Sequence, residues 1–189
     1  MSKDSKENQP QNVSLEWFEM STALHVGGSR LIEQHRQAAE GTTSFNSTMS
    51  PNKWQVNIEG AMGEVAVAKF LRTYWEGSVN EYAAADVGGF VEVRTCSFDD
   101  GWLWVWPKDH DDRPVVLVVG RSPVFKVIGW IRAGDAKTEN NWQHKDAPNN
   151  RKNARCWFVP PDALKDARVL GHHLHTLRFI HAANHGEGQ

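Results

Sequence analysis

Three residues close together in the chain carry the types and spacing of a hydrolytic site. Asp86 stands just before a glycine pair, Gly88 and Gly89, and Glu92 and Arg94 follow in the run Val91-Glu92-Val93-Arg94. On an extended strand, residues two apart project to the same face, so Glu92 and Arg94 point together while Val91 and Val93 face a core. The Gly-Gly turn lets the Asp86 carboxylate swing toward Glu92. Two carboxylates at short range repel, and a divalent cation between them turns repulsion into binding. Magnesium takes one or two carboxylates, with waters and phosphate oxygens in its remaining positions. Such an ion polarises a phosphodiester and lowers the pKa of a bound water. A fixed positive charge at Arg94 would stabilise the charge that develops on the phosphate. The chemistry on offer is metal-assisted hydrolysis of a phosphodiester. The plain alternative is a surface strand with an ion pair, because charged residues fill 23% of positions and such patterns also arise by chance.

The elements around this run must hold it. A helix is predicted from near Asn52 through "KWQVNIEGAMGEVAVAKFLRTYW", where Trp54, Ile58, Met62, Val65, Ala66, Lys69 and Phe70 recur at three and four to form one mostly apolar face. Gly60 and Gly63 each cost about 1 kcal/mol relative to alanine there, so another backbone is expected to pass close by. Glu64 follows directly, a third carboxylate beside that approach. An earlier helix is expected from Leu15, capped by Ser14, with Gly27 and Gly28 either bending it or dividing it in two. Gly27, Gly28 and Arg30 serve either helix packing or substrate contact. From Val79 the period changes to two: "FVEVRT", "WLWVWP", "VVLVVG", "FKVIGWIRAG" and "CWFVP" read as strands, with "KDHDDRP" as the turn of a hairpin between the second and third. "DAKTENNWQHKDAPNNRKNAR" reads as a long loop and "PDALKDARVLGHHLHTLRFI" as a last helix. Helices, then strands, then a helix predict an α/β or α+β fold with a mixed central β-sheet flanked by helices. Residues 1–13 read as a disordered tail, 14–181 as a single domain and 182–189 as a flexible tail.

Composition narrows the function classes. Apolar residues at 40% suit an ordinary globular chain of 189 residues, and the formal charge of −2 argues against a protein that coats nucleic acid by charge alone. A local basic rim and a bound cation remain compatible with that charge. No stretch has the length of a membrane span, so no membrane partner is expected. Cys96 and Cys156 sit in no CxxC pair and read as reduced thiols of a cytoplasmic protein.

The ordered set of parts resembles the PD-(D/E)XK nuclease superfamily, the restriction-endonuclease-like proteins, and in particular its small phage-type members. "GAMGE" brings Glu64 to the place of the acid on the first core helix of those enzymes, Asp86 matches the motif's aspartate, and "EVR" matches the strand bearing (D/E)XK, with Glu92 as its acid. The later strands, "GWI" followed by "DAK", and "WFVPPDAL" extend the likeness over roughly residues 15–177. The resemblance implies a Mg2+- or Mn2+-dependent nuclease hydrolysing DNA, located in the cytoplasm (of the host cell, if phage-encoded). Asp86, Glu92 and Glu64 would be its metal ligands. Glu64, Asp86, Glu92 and Arg94 would be its catalytic set. Arg94 departs from the family pattern, which has lysine. Arginine keeps the charge but is effectively never deprotonated and is a planar fork. It points equally to a catalytically weak or inactive nuclease-fold module that binds nucleic acid or a protein partner. Lys69 or Lys108 could supply a lysine from elsewhere. Arg151, Lys152 and Arg155, with Lys145, give the long loop a positive character suited to a phosphate backbone. Trp102, Trp104 and Trp106 share one strand face, read as a packed face before a base-stacking one. His172, His173 and His175 lack acids or cysteines at ligand spacing and read as surface residues. The oligomeric state is open, a homodimer included.

Overall fold

The structure is a computed structural model, and it describes residues 10–41, 52–79, 84–150 and 154–171. Two antiparallel-packed long helices, α1 (Trp17–Ala39) and α2 (Asn52–Leu71), precede most of the sheet. A four-stranded mixed sheet follows the order β1-β5-β4-β2, and β3 pairs with β6 in a separate two-stranded sheet. The strands are β1 (Gln11–Ser14), β2 (Glu92–Cys96), β3 (Leu103–Val105), β4 (Pro114–Arg121), β5 (Val124–Arg132) and β6 (Trp157–Val159). β2 runs parallel to β4, and the β4–β5 and β5–β1 pairs are antiparallel. The fold is α+β with a mixed central sheet, as the element order predicts.

β4 explains the layering. Val115 to Val119 are all buried, the mark of a strand covered on both faces. Val116 and Val118 pack with α2, Val93, Phe125 and Val127 in one core. Val115, Leu117 and Val119 pack with Leu103, Val105 and Val159 in a second. The two long helices therefore flank one face of the sheet, and the β3–β6 pair, with Ala133 and Ala136 of a short helix after β5, covers the other. The expected hairpin between "WLWVWP" and "VVLVVG" does not form. β4 instead takes β2 and β5 as neighbours, and β3 pairs with β6 in the register Leu103–Val159 to Val105–Trp157.

Three further boundaries differ from the sequence reading. Residues 11–13, assigned to a disordered tail, belong to edge strand β1, held by main-chain pairing to β5. Ser14 ends that strand and does not cap a helix. α1 starts at Trp17, where the Glu16 N–H donates to the Glu19 carboxylate at 2.7 Å. α1 also runs unbroken through Gly27 and Gly28. A Cβ on Gly27 would lie 2.6 Å from the Ile58 Cα and 2.7 Å from the Asn57 carbonyl oxygen, so the two helix backbones meet at this glycine. Gly63 instead packs on the sheet through a side chain, its Cβ position falling onto Thr95 Oγ1, and Gly60 faces open space, so the nearest neighbours of this pair are not the backbone expected there. Between residues 61 and 68 α2 is buried on every side, beyond the single apolar face its periodicity suggests. The last helix opens at 167 after a short 3-10 turn at Pro161–Ala163. The His172, His173 and His175 cluster and the boundaries at 181 and 182 lie outside the described residues.

Candidate active site

A tight reversal builds the site. Val87 and Val91 exchange backbone hydrogen bonds (3.1 and 3.0 Å), and Gly88 and Gly89 between them take φ of 61° and 79°, the left-handed region that glycine enters freely. The chain thus folds back on itself, and Asp86 lies alongside β2, where its Oδ2 accepts the Val93 N–H at 2.7 Å. On β2, Val93 and Thr95 turn toward α2, so Glu92 and Arg94 share the opposite face. Asp86, Glu92 and Arg94 all line one cavity of about 690 Å³, together with Arg30 from α1, Trp104 from β3, and Trp106, Lys108, Asp109 and Arg113 from the segment between β3 and β4. The convergence of Asp86, Glu92 and Arg94 expected from their spacing is present.

Glu64 stands apart from that arrangement. It is 6% exposed, and Arg30 grips it with both terminal nitrogens, Nη1 to Oε1 at 2.6 Å and Nη2 to Oε2 at 2.8 Å. The Trp75 indole N–H donates to the same carboxylate at 2.9 Å. Arg30 also donates from Nε to the Ser78 carbonyl oxygen at 2.9 Å. A carboxylate this fully bonded holds an arginine on the cavity wall. Among the described residues no three His, Cys, Asp or Glu side chains form a group that could hold a metal ion. The expected three-acid cage of Asp86, Glu92 and Glu64 is not assembled: Glu64 acts on Asp86 through its charge, but both of its oxygens are taken by Arg30.

The remaining charges are mostly matched. Arg113 donates to Glu92 Oε1 at 2.6 Å, and Arg94 Nη1 lies 3.6 Å from Glu92 Oε2. Arg94 Nη2 donates to the buried Asp109 carboxylate at 2.7 Å, and Nη1 donates to its neighbour's carbonyl at 3.1 Å. Arg94 is therefore committed to Asp109 and not extended as a free guanidinium. Asp86 differs from the other acids: among the described residues it bonds no cationic side chain, and its one hydrogen bond comes from the Val93 amide. Burial pushes its pKa up to about 7, reinforced by Glu64 and then Glu92, against the pull of the Val93 N–H and Arg94. A carboxyl group so placed fits a divalent cation, whose charge would replace the missing partner. Asp86 and Glu92 are the two carboxylates of the predicted set that line the cavity.

The candidate lysines separate cleanly. Lys69 is taken by the Ser14 carbonyl (2.9 Å) and Glu19 (2.7 Å) at the helix and strand ends, away from the cavity. Lys108 lines the cavity, exposed and without an ion-pair partner among the described residues. Arg155 is exposed and does not line the cavity, while Arg151 and Lys152 lie outside the described residues. Sequence reading missed Asp109, Arg113 and Trp75 as site residues. Arg113 sits in "DDRP", which carries turn signals and no periodicity. Its partner Glu92 is 21 residues away, a separation at which no local pattern exists. Comparison of the chain with protein-family models, with curated proteins and with solved structures returned no match.

Proposed function

We propose that the protein is a divalent-metal-dependent nuclease hydrolysing DNA phosphodiester bonds, as its resemblance to the PD-(D/E)XK superfamily and the restriction-endonuclease-like fold implies. The observation that carries this reading is Asp86, a half-buried carboxyl without a cationic partner among the described residues, lining the same cavity as Glu92. Asp86 and Glu92 would hold Mg2+ or Mn2+, which when bound supplies a polarised phosphate and an activated water. Arg30 and Arg113 also line the cavity, but each is already held by a carboxylate, Glu64 and Glu92 respectively. Lys108, unpaired among the described residues at the same cavity, is the better candidate for the mobile ammonium of the family pattern, because Arg94 is bonded to Asp109. Glu64 acts indirectly, by orienting Arg30.

Incubation of the protein with linear and supercoiled DNA in Mg2+ or Mn2+ tests the reading. Cleavage by the wild type, lost in Asp86→Asn and Glu92→Ala, is expected. Intact DNA with wild type and variants alike, in either metal, removes hydrolysis by this site. A second reading is favoured by one specific observation: Glu92 and Arg94 are both already engaged, by Arg113 and Asp109. On that reading the cavity binds nucleic acid or a protein partner without turnover, and DNA binding survives removal of both acids with no cleavage in any metal.

A further inference from the structure

We infer that the cavity receives an unpaired DNA strand, with a base stacked on the indole wall formed by Trp104 and Trp106. The inference rests on the nuclease reading only for placing the phosphates at the Asp86 and Glu92 end. The stacking wall rests on separate observations.

Trp104 and Trp106 are two apart at β3 and its exit, so they share a side, while Leu103 and Val105 turn into the second core. Trp104 and Trp106 both line the cavity, and Trp106 retains 36% of its surface exposed. Trp102, the third of the series, is packed against His144 at 4.8 Å between ring centroids and does not line the cavity. The face therefore divides: the Trp102 ring packs on His144, Trp104 lines the cavity while also packing against the second core and against Cys156 and Phe158, and Trp106 is the exposed indole at the cavity.

The main chain that carries the exposed indole is held in place. The carboxylate of Asp109, 9% exposed, accepts the Trp106 backbone N–H at 2.8 Å and the Arg94 Nη2 at 2.7 Å. The Asp109 N–H returns to the Trp106 carbonyl at 3.0 Å. Lys137 Nζ ties the same turn from outside through the Asp109 carbonyl, at 2.7 Å. Arg94 thereby links Trp106 to β2, the strand that carries Glu92. It is a positioning residue, fixing the distance from aromatic wall to carboxylates, a task for which a planar fork with several donors is better suited than an ammonium.

The size and chemistry of the space select the strand form. A cavity of about 690 Å³ falls within the roughly 300–1,000 Å³ of sites that take one small ligand, room for an unpaired nucleotide at the indole wall. In a duplex the faces of each base are covered by its neighbours, so an indole reaches one only when the nucleotide is unpaired or extruded. Aromatic stacking of this kind tolerates any base, and Lys108 on the same cavity, exposed and without an ion-pair partner among the described residues, matches a backbone that runs past it.

The test uses the full chain in an Asp86→Asn background, which removes the unpaired carboxylate, and follows anisotropy of labelled oligomers in EDTA. The probes are a thymidine oligomer, the same backbone with abasic sites throughout, and a blunt duplex of equal length. Expected is single-strand binding about tenfold tighter than the abasic oligomer, with the duplex weaker than the single strand. Adding Trp106→Ala brings the thymidine affinity down to the abasic level and leaves the abasic affinity unchanged, and Trp106→Phe retains most of the difference. Equal affinity for thymidine and abasic oligomers, preference for the duplex, no binding of any oligomer, or equal loss of both probes in Trp106→Ala would each overturn the inference. Base-dependent binding together with a wild type that cleaves nothing in Mg2+ or Mn2+ would sink hydrolysis and leave the stacking wall standing.

Discussion

Replacing Asp86 with asparagine should make the metal-free protein more stable at alkaline pH, although the change deletes a proposed ligand. The Asp86 carboxyl is raised from 3.8 to about 7 in the fold. Between those values the folded chain holds a proton that the unfolded chain has lost, so raising the pH through this window destabilises the fold. At about 1.36 kcal/mol per pKa unit, a shift of about 3 units makes the ionised carboxylate worth about 4 kcal/mol of lost stability above pH 7. Asparagine keeps an oxygen for the Val93 N–H and carries no charge. The gap between variant and wild type should therefore be small near pH 4, widen by about 1.36 kcal/mol per pH unit up to about pH 7, and stay flat beyond. For a chain of this length that corresponds to roughly 8–16 °C in melting temperature at pH 8. Thermal and urea denaturation in EDTA across this range measure it. Magnesium should raise the wild-type melting temperature at pH 8, lose that effect as Asp86 protonates below about pH 6, and leave Asp86→Asn unmoved. A variant no more stable than wild type at pH 8, or a gap independent of pH, would refute the idea that this carboxylate lacks a counter-charge.

Other substitutions probe the supports of the site. Arg30→Ala leaves Glu64 buried with only the Trp75 indole as donor and should cost about 3–5 kcal/mol in urea denaturation, part of which Glu64→Gln in the same chain restores. Gly27→Ala drives a methyl into the α2 backbone and should cost about 1–3 kcal/mol or more, with no single side-chain change able to relieve it. Gly63→Ala meets the Thr95 side chain instead, so its loss of stability should be substantially recovered by Thr95→Ala, read as a double-mutant cycle in urea. Arg94→Lys should lower stability by about 1.5–3 kcal/mol through loss of the Nη2 bond to the buried Asp109 carboxylate and should not raise DNA cleavage.

The parts of the site that share a local period or a local turn were legible in the sequence. Val91 and Val93 against Glu92 and Arg94 declare a half-buried strand, and Gly88-Gly89 declares the reversal that carries Asp86 to its side. The backbone approach expected at Gly60 and Gly63 is found instead at Gly27, which meets the α2 main chain; Gly63 meets the Thr95 side chain and Gly60 open space. Contacts decided by partners far along the chain left no such trace. The apolar run of β4 fits β3 or β2 equally well by composition, and only the competition among strands for its edges settles the pairing. β1 offers a single buried apolar residue, Val13, in "QNVS", because main-chain bonds to β5 and not side-chain burial hold it. Glu64 reads as a ligand by position, yet Arg30, a residue of the preceding helix, occupies both of its oxygens.

The parallel pairing of β2 with β4 has a topological result of its own. Parallel neighbours cannot be joined by a tight turn, and the chain must travel back the length of the sheet before re-entering it. Here residues 97–113 make that return journey across the face bearing Glu92, and β4 resumes beside it, with Val115 opposite Glu92. The excursion delivers Trp104, Trp106, Lys108, Asp109 and Arg113 to the cavity on its way. Access to the carboxylates is thus governed by a bridge whose two feet are pinned to adjacent strands, and whose span can lengthen or change composition while the strand register beneath stays as it is.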